Sequence, residues 1–158
     1  MRRNLFIPTK FHKQPPKSTF SVPNLKSKIN MTLPTGHQTI MPYLMLDGGL
    51  KFIEFTQTVF DAKVNLSMHQ MHPDFEKVRH SEIQIGGSTI MFTDTTEQWK
   101  AQPANLFIYV ENADETYQKA LDAGATTVMG LSDQNYGRTC GVADPFGNVW
   151  WITSVLTK

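Results

Sequence analysis

Two residues apart in the stretch VRHSEIQIGGSTIMFTD, Val78 to Asp94, stand the imidazole of His80 and the carboxylate of Glu82. On a β-strand such residues share one face, with side chains about 7 Å apart, near enough to hold one water, ion or substrate between them. The pair reads as acid/base machinery, as two ligands of a cation, or as the polar lining of a pocket. A metal held by these two groups alone exchanges readily, because stable sites use three or four protein ligands. His69 and His72 in MHQMHPD repeat the spacing of helical zinc sites, but the adjacent Pro73 and a strand-to-loop setting spoil that geometry, so solvated loop histidines are expected. Arg138, flanked by Gly137 and Thr139, either clamps an anionic ligand or pairs with an acid such as Asp133 or Asp144. The single cysteine, Cys140, excludes an intramolecular disulfide, fits a reducing compartment and reads as a buried, inert thiol in a strand.

The elements that must position these groups follow from hydrophobic patterning. TIMPYLML is an apolar strand that ends at the turn signal Asp47-Gly48-Gly49, and Leu50, Phe52, Ile53, Phe55, Val59 and Phe60 then supply the apolar face of a helix. Lys63–His69, Val78–Ile85 and Ser88–Thr93 read as strands, the last two joined by Gly86-Gly87. The second half repeats the pattern: the strand NLFIYVEN, the helix ADETYQKALDAGA opened by acids and closed by Gly124, then strands at Thr126–Met129, Thr139–Ala143 and Asn148–Thr153. The last two are joined by DPFGN, with proline and glycine where a tight turn needs them. The result is an α+β chain of two tandem βαβββ modules, about residues 38–94 and 103–156, within a domain spanning 35–158.

One helix covers one face of its sheet. Alternation puts Ser81, Ile83 and Ile85 under the first helix and His80, Glu82 and Gln84 on the opposite face. It likewise puts Leu106, Ile108 and Val110 under the second helix and Asn105, Phe107 and Tyr109 opposite. A mixed aromatic and polar face is the usual makeup of a small-molecule pocket.

Composition removes several function classes. Residues 1–30 hold seven Lys/Arg, four prolines and no acid, whereas residues 31–158 hold eight Lys/Arg against fourteen acids, a net charge of −6. An acidic folded part disfavours nucleic acid, whose binding relies on Lys and Arg at phosphates. The first thirty-four residues read as a flexible basic extension: either an organelle transit segment, or a leader with translation beginning at Met31, ahead of a cytoplasmic domain. No apolar run approaches the roughly 18 to 20 residues of a membrane-spanning helix, so no membrane partner is expected. No Gly-rich phosphate loop with a following lysine and no Gly-x-Ser-x-Gly elbow occurs, which disfavours nucleotide-driven and serine-hydrolase chemistry.

The paired modules, AGATTV after the second helix, and above all YGRTCGVADPFGNVWWI resemble the vicinal oxygen chelate superfamily of glyoxalases, extradiol dioxygenases and bleomycin-resistance proteins. MPYLML, RHSEIQIGGSTIMFTD and DPFGNVWWIT look most like its PhnB-like branch, over about residues 38–156. The chain departs from that branch with Phe55-Thr56 in place of Phe-Tyr and Phe60-Asp61-Ala62 in place of Phe-Gly-Ala. The resemblance implies a curved mixed sheet around a cavity, and a homodimer. It also implies metal ligands on the first and last strands of each module, positions that fall near Ile40, Asn105, Phe92 or Thr93, and Trp151. None is a strong ligand, so the standard metal site is expected to be missing and Trp151 to floor the cavity for a planar or apolar ligand. A divalent cation is then left with His80 and Glu82.

Two functions follow. In one, the protein binds a small aromatic or cationic compound among His80, Glu82, Phe107, Tyr109, Arg138 and Trp151, without the standard metal, as the superfamily's drug-resistance members do. In the other it is a glyoxalase-like lyase or isomerase, or another enzyme on a small oxygenated metabolite, with His80 and Glu82 as acid/base groups or ligands.

Overall fold

β1 (Tyr43–Leu46) passes through Asp47 and Gly48 into α1 (Gly49–Phe60). Gly48 takes φ 98°, in the left-handed region open to glycine, and lends α1 no side-chain cap. Asp94 supplies the cap from elsewhere: its Oδ1 accepts from the backbone N–H groups of Gly48 at 2.8 Å and Gly49 at 2.9 Å, and its Oδ2 from that of Val78 at 2.6 Å. A negative charge there also complements the positive end of the helix dipole. At Gly49 a Cβ would stand 2.9 Å from Val78 Cγ2, so the helix seats only with glycine. α1 buries Phe52, Ile53, Phe55, Thr56, Val59 and Phe60, while Leu50, expected on the same face, is exposed.

These features come from a computed structural model that describes residues 33–74 and 76–155; the expectations for the basic extension and the two start sites lie outside the described residues. Among the described residues no helix is long and apolar enough to cross a membrane.

The first module continues with β2 (Lys63–Val64), β3 (Gln70–Met71), β4 (Val78–Ile85) and β5 (Ser88–Asp94). The strand expected over Lys63–His69 is broken, because the chain turns at Asn65, whose carbonyl accepts from Met68 N at 3.0 Å. The sheet runs β1-β5-β4-β2 with β3 also on β4, and β1 lies parallel to β5. The second module comprises β6 (Asn105–Tyr109), α2 (Ala113–Asp122), β7 (Thr126–Gln134), β8 (Gly137–Ala143) and β9 (Val149–Ser154), in sheet order β6-β9-β8-β7 with β6 parallel to β9. β7 continues past the expected end at Met129 to Gln134, absorbing register shifts on the way, and pairs with the full length of β8. α2 is capped by Asn112, whose side chain accepts from Glu115 N at 3.1 Å.

The modules form one mixed sheet apiece, as the α+β reading of two βαβββ modules expects. α1 packs on both. Phe52 meets Phe92 of β5 at 5.1 Å between ring centroids and Phe146, in the turn before β9, at 5.5 Å, and Phe60 meets Trp150 of β9 at 4.5 Å. Leu44, Ile83, Ile90 and Phe92 from the first sheet join Cys140, Val142, Trp150 and Ile152 from the second in one buried core. Each such large apolar side chain contributes about 2–3 kcal/mol by burial.

Candidate functional site on the open faces

The open face of the first sheet is polar. β4 alternates as read, with Ser81 and Ile83 buried in the core and His80, Glu82 and Gln84 on the other side. Glu82 is nevertheless only 1% exposed, because residues 33–42 cross over it. His37 Nε2 stands 3.0 Å from Glu82 Oε2, and Asn65 donates to the same oxygen at 3.1 Å. An ionised carboxylate only accepts, so His37 donates through Nε2–H. His80 Nε2 lies 3.5 Å from Oε1, closer than strand geometry alone gives, yet Oε1 accepts no hydrogen bond among the described residues. The ring of Tyr43 meets that of His80 edge-on at 6.0 Å.

Burial pushes the Glu82 carboxyl up, but hydrogen bonds from His37 and Asn65, the charge of His37 and the contact with His80 outweigh it, and the group is held below its ordinary value of 4.5. Beside it lies a cavity of about 320 Å³ lined by Gly36, His37, Lys63, Asn65, Gln84 and Thr89. Chemically this is a sealed carboxylate flanked by two imidazoles, able to orient them and to hold a proton or a cation. His37 and Asn65 were not foreseen. His37 precedes the first regular element and Asn65 sits inside what patterning assigns to a strand, so no local periodicity points to either.

The open face of the second sheet is aromatic. Phe107 and Tyr109 are 53% and 64% exposed, with ring centroids 5.1 Å apart. Phe107 is register partner to Trp151 on β9. The indole of Trp151 lies across Gly141, where a Cβ would come within 2.7 Å of the ring, and its Nε1 donates to Asn105 Oδ1 at 3.2 Å. Asn105 and Trp151 are the two positions that the resemblance gives to metal ligands in this module, and here they satisfy each other. Alongside runs a groove of about 470 Å³, between Gln38, Ile40 and Pro42, the Gly86-Gly87 turn, and Phe107 and Tyr109 of β6.

Arg138, expected among the ligand-binding residues, falls on the other side of its sheet. It pairs with Ser154 across β8 and β9, on the face of Cys140 and Val142, opposite Trp151. Its guanidinium grips Asp114 of α2 through Nε at 3.0 Å and Nη2 at 2.8 Å, and Asp133 through Nη1 at 3.2 Å. These contacts raise the Arg138 pKa and lower that of Asp114. The ion-pair alternative is the one realised, with Asp114 and Asp133 in place of Asp144. His69, expected to be solvated, shares a hydrogen bond with the buried Ser81 at 3.0 Å. Burial pushes the Cys140 thiol up to about 11, which leaves it a poor nucleophile. Among the described residues no group of three or more His, Cys, Asp or Glu is arranged to hold a metal ion.

Two βαβββ modules, each with a helix on one face of its sheet, define a glyoxalase-type fold, and the comparisons with known proteins agree. The model of the Glyoxalase/Bleomycin resistance protein/Dioxygenase superfamily matches residues 49–152, and the chain belongs to that superfamily. An uncharacterised protein of Mycobacterium bovis is 32% identical over an alignment covering 70% of this chain and 79% of the relative, and a Mycobacterium tuberculosis counterpart is 32% identical with 71% of its length covered. Among solved structures, TioX from Micromonospora sp. ML1 aligns with a TM-score of 0.59 at 23% identity, covering 77% of this chain and 98% of that one. A PhnB protein from Bacillus cereus aligns with a TM-score of 0.58 at 18% identity, covering 75% and 100%. At these identities the structural likeness speaks for the fold alone.

Proposed function

We propose that this chain is a small-molecule-binding protein of the PhnB-like branch that works as a homodimer, with the polar face of the first sheet in one copy and the aromatic face of the second sheet in the other enclosing the ligand. The observation that carries this reading is the aromatic face that the second sheet leaves bare in a single chain, with Phe107 53% and Tyr109 64% exposed. A twofold pairing that lays the polar face of one copy over the aromatic face of the other makes such a cavity twice, each copy giving one face to either. The exposed apolar groups, Ile40 at 87%, Tyr43, Phe107 and Tyr109, are those such a pairing would cover. His80 and Glu82 then furnish polar anchors, and Phe107, Tyr109 and Trp151 a stacking surface.

Sedimentation of the full chain tests this directly: a dimer is expected for the wild type and a monomer for Tyr109→Asp. The dye 8-anilinonaphthalene-1-sulfonate should brighten on the wild type and lose most of that signal with Trp151→Ala. A monomeric wild type that leaves the dye dark overturns the reading. The enzyme reading draws on one observation, the imidazole of His80 beside a buried carboxylate, an arrangement that orients acid/base groups elsewhere. Turnover of a small oxygenated metabolite, abolished by His80→Ala with dye binding intact, would favour it.

A further inference from the structure

Glu82 is a carboxylate sealed beneath its own chain. Its Oε2 is engaged by His37 and Asn65, its Oε1 accepts nothing among the described residues, and no Lys or Arg among them is ion-paired with it. A buried carboxylate with no fixed cation beside it is costly unless a positive or N–H-rich group stands in. Of the groups that stand in, His37, Asn65 and the nearby His80, His37 comes from the segment ahead of the first strand.

His37 is delivered by residues 33–42, none of which is buried. That segment is tied to the sheet by polar contacts: Thr89 Oγ1 donates to Gly36 O at 2.6 Å, Thr89 N to Gln38 Oε1 at 3.0 Å, and Gln38 Nε2 to Gly87 O at 2.9 Å. Of its large apolar side chains Leu33 and Ile40 are exposed and Met41 is half-buried, and the Pro42 carbonyl accepts from Met91 N of β5 at 2.9 Å. A segment held mainly by hydrogen bonds, with no side chain fully buried, opens at lower free-energy cost than a strand of the core. Lifting it frees the carboxylate that lines a cavity of about 320 Å³, with His80 beside it.

We propose that residues 33–42 are a strap plugging a binding site for a protonated nitrogen compound, an amine, amidine or imidazolium, and that His37 holds the place on Glu82 that the ligand's N–H group takes when the strap lifts. The chain's own imidazole marks the chemistry accepted there. Glu82 Oε1 offers a second acceptor, so a head group with two N–H donors can engage both oxygens. This inference rests on the reading that the open face of the first sheet binds ligand.

The test uses the full chain and two probes, imidazole and benzamidine, titrated calorimetrically into wild type, His37→Ala, and His37→Ala combined with Glu82→Gln. His37→Ala should bind imidazole at least tenfold more tightly than the wild type, and adding Glu82→Gln should remove most of that gain. In the wild type, saturating benzamidine should speed hydrogen exchange at the Thr89 amide, which Gln38 protects; this readout decides the matter if His37→Ala fails to fold. Equal imidazole binding by wild type and His37→Ala, indifference to Glu82→Gln, or an unchanged Thr89 amide overturns the proposal. Failure here with dimer and dye binding intact sinks the strap alone, whereas loss of dimer and dye binding with the imidazole effect retained sinks the wider reading and leaves this site standing.

Discussion

In the first module the last-strand aspartate, Asp94, reaches back to hold the start of α1 and the start of β4, taking the N–H groups of Gly48, Gly49 and Val78. In the second, Asp144 stays with its own turn, accepting from Phe146 N, Asn148 N, Asn148 Nδ2 and Trp150 Nε1, and α2 is left to its local cap Asn112. The same division of labour appears on the open faces. The first gathers polar groups from three separate segments onto Glu82 and is covered by its own chain, while the second leaves aromatic rings bare. Two copies of one βαβββ plan have thus been specialised by a few side chains each. The first is built through long-range hydrogen bonds and the second through neighbours in strand register.

The most severe way to break the contrast is to remove the aspartates. Asp94→Ala strands three backbone donors and Asp144→Ala four donors in one turn, so each should cost about 3 kcal/mol or more in urea unfolding, since an unsatisfied buried donor costs about 1–3 kcal/mol. A loss under about 1 kcal/mol at Asp94 would mean that α1 finds another cap, as α2 does.

Glu82→Gln should cost less, about 1–2 kcal/mol at neutral pH, because the amide keeps shape but weakens charge-assisted bonds to His37 and Asn65. Its pH dependence is the sharper test. The folded carboxyl sits below its unfolded value of 4.5, so its contribution is fully present above that value and is lost as pH falls through the folded one. The wild type should lose its advantage over Glu82→Gln on acidification, and a gap that stays constant from pH 7 to the acid limit would contradict the assignment.

A smaller effect of opposite sign is expected at the end of α1. Asp61 takes φ 53°, a left-handed position suited to glycine, and places a carboxylate at the negative end of the helix dipole. Asp61→Gly should therefore stabilise by about 0.5–1 kcal/mol, read as a raised urea midpoint with unchanged slope. Smallest of all, Phe107→Ala should move single-chain stability by no more than about 0.5 kcal/mol, because an exposed ring buries little. The same change should weaken self-association, and a large loss of intrinsic stability would show that the aromatic face is already packed within one chain.

Much of this was legible from alternation. Period-two patterning placed Glu82 and His80 opposite Ile83, and Tyr109 and Phe107 opposite Ile108, because a strand's own geometry sets those faces. Arg138, read from the sequence among the ligand-binding residues, instead lies on the helix side with Cys140 and Val142, paired with Asp114 and Asp133. The break in the strand at Asn65 and the extension of β7 to Gln134 were not legible, since both depend on which partner strand is present to pair with. The seal on Glu82 depends on His37, forty-five residues away in sequence, and no local pattern reports a contact of that separation.

By itself, then, the sequence determined two βαβββ modules, their turns, their buried faces and the polar or aromatic character of what each sheet leaves open. Those properties follow from local periodicity and from backbone conformations that glycine and proline dictate. Tertiary structure alone decided that both helix faces share one core and that the segment carrying His37 closes over Glu82. Each of these is a choice of partner between distant segments, made by packing and by the need to satisfy a buried carboxylate.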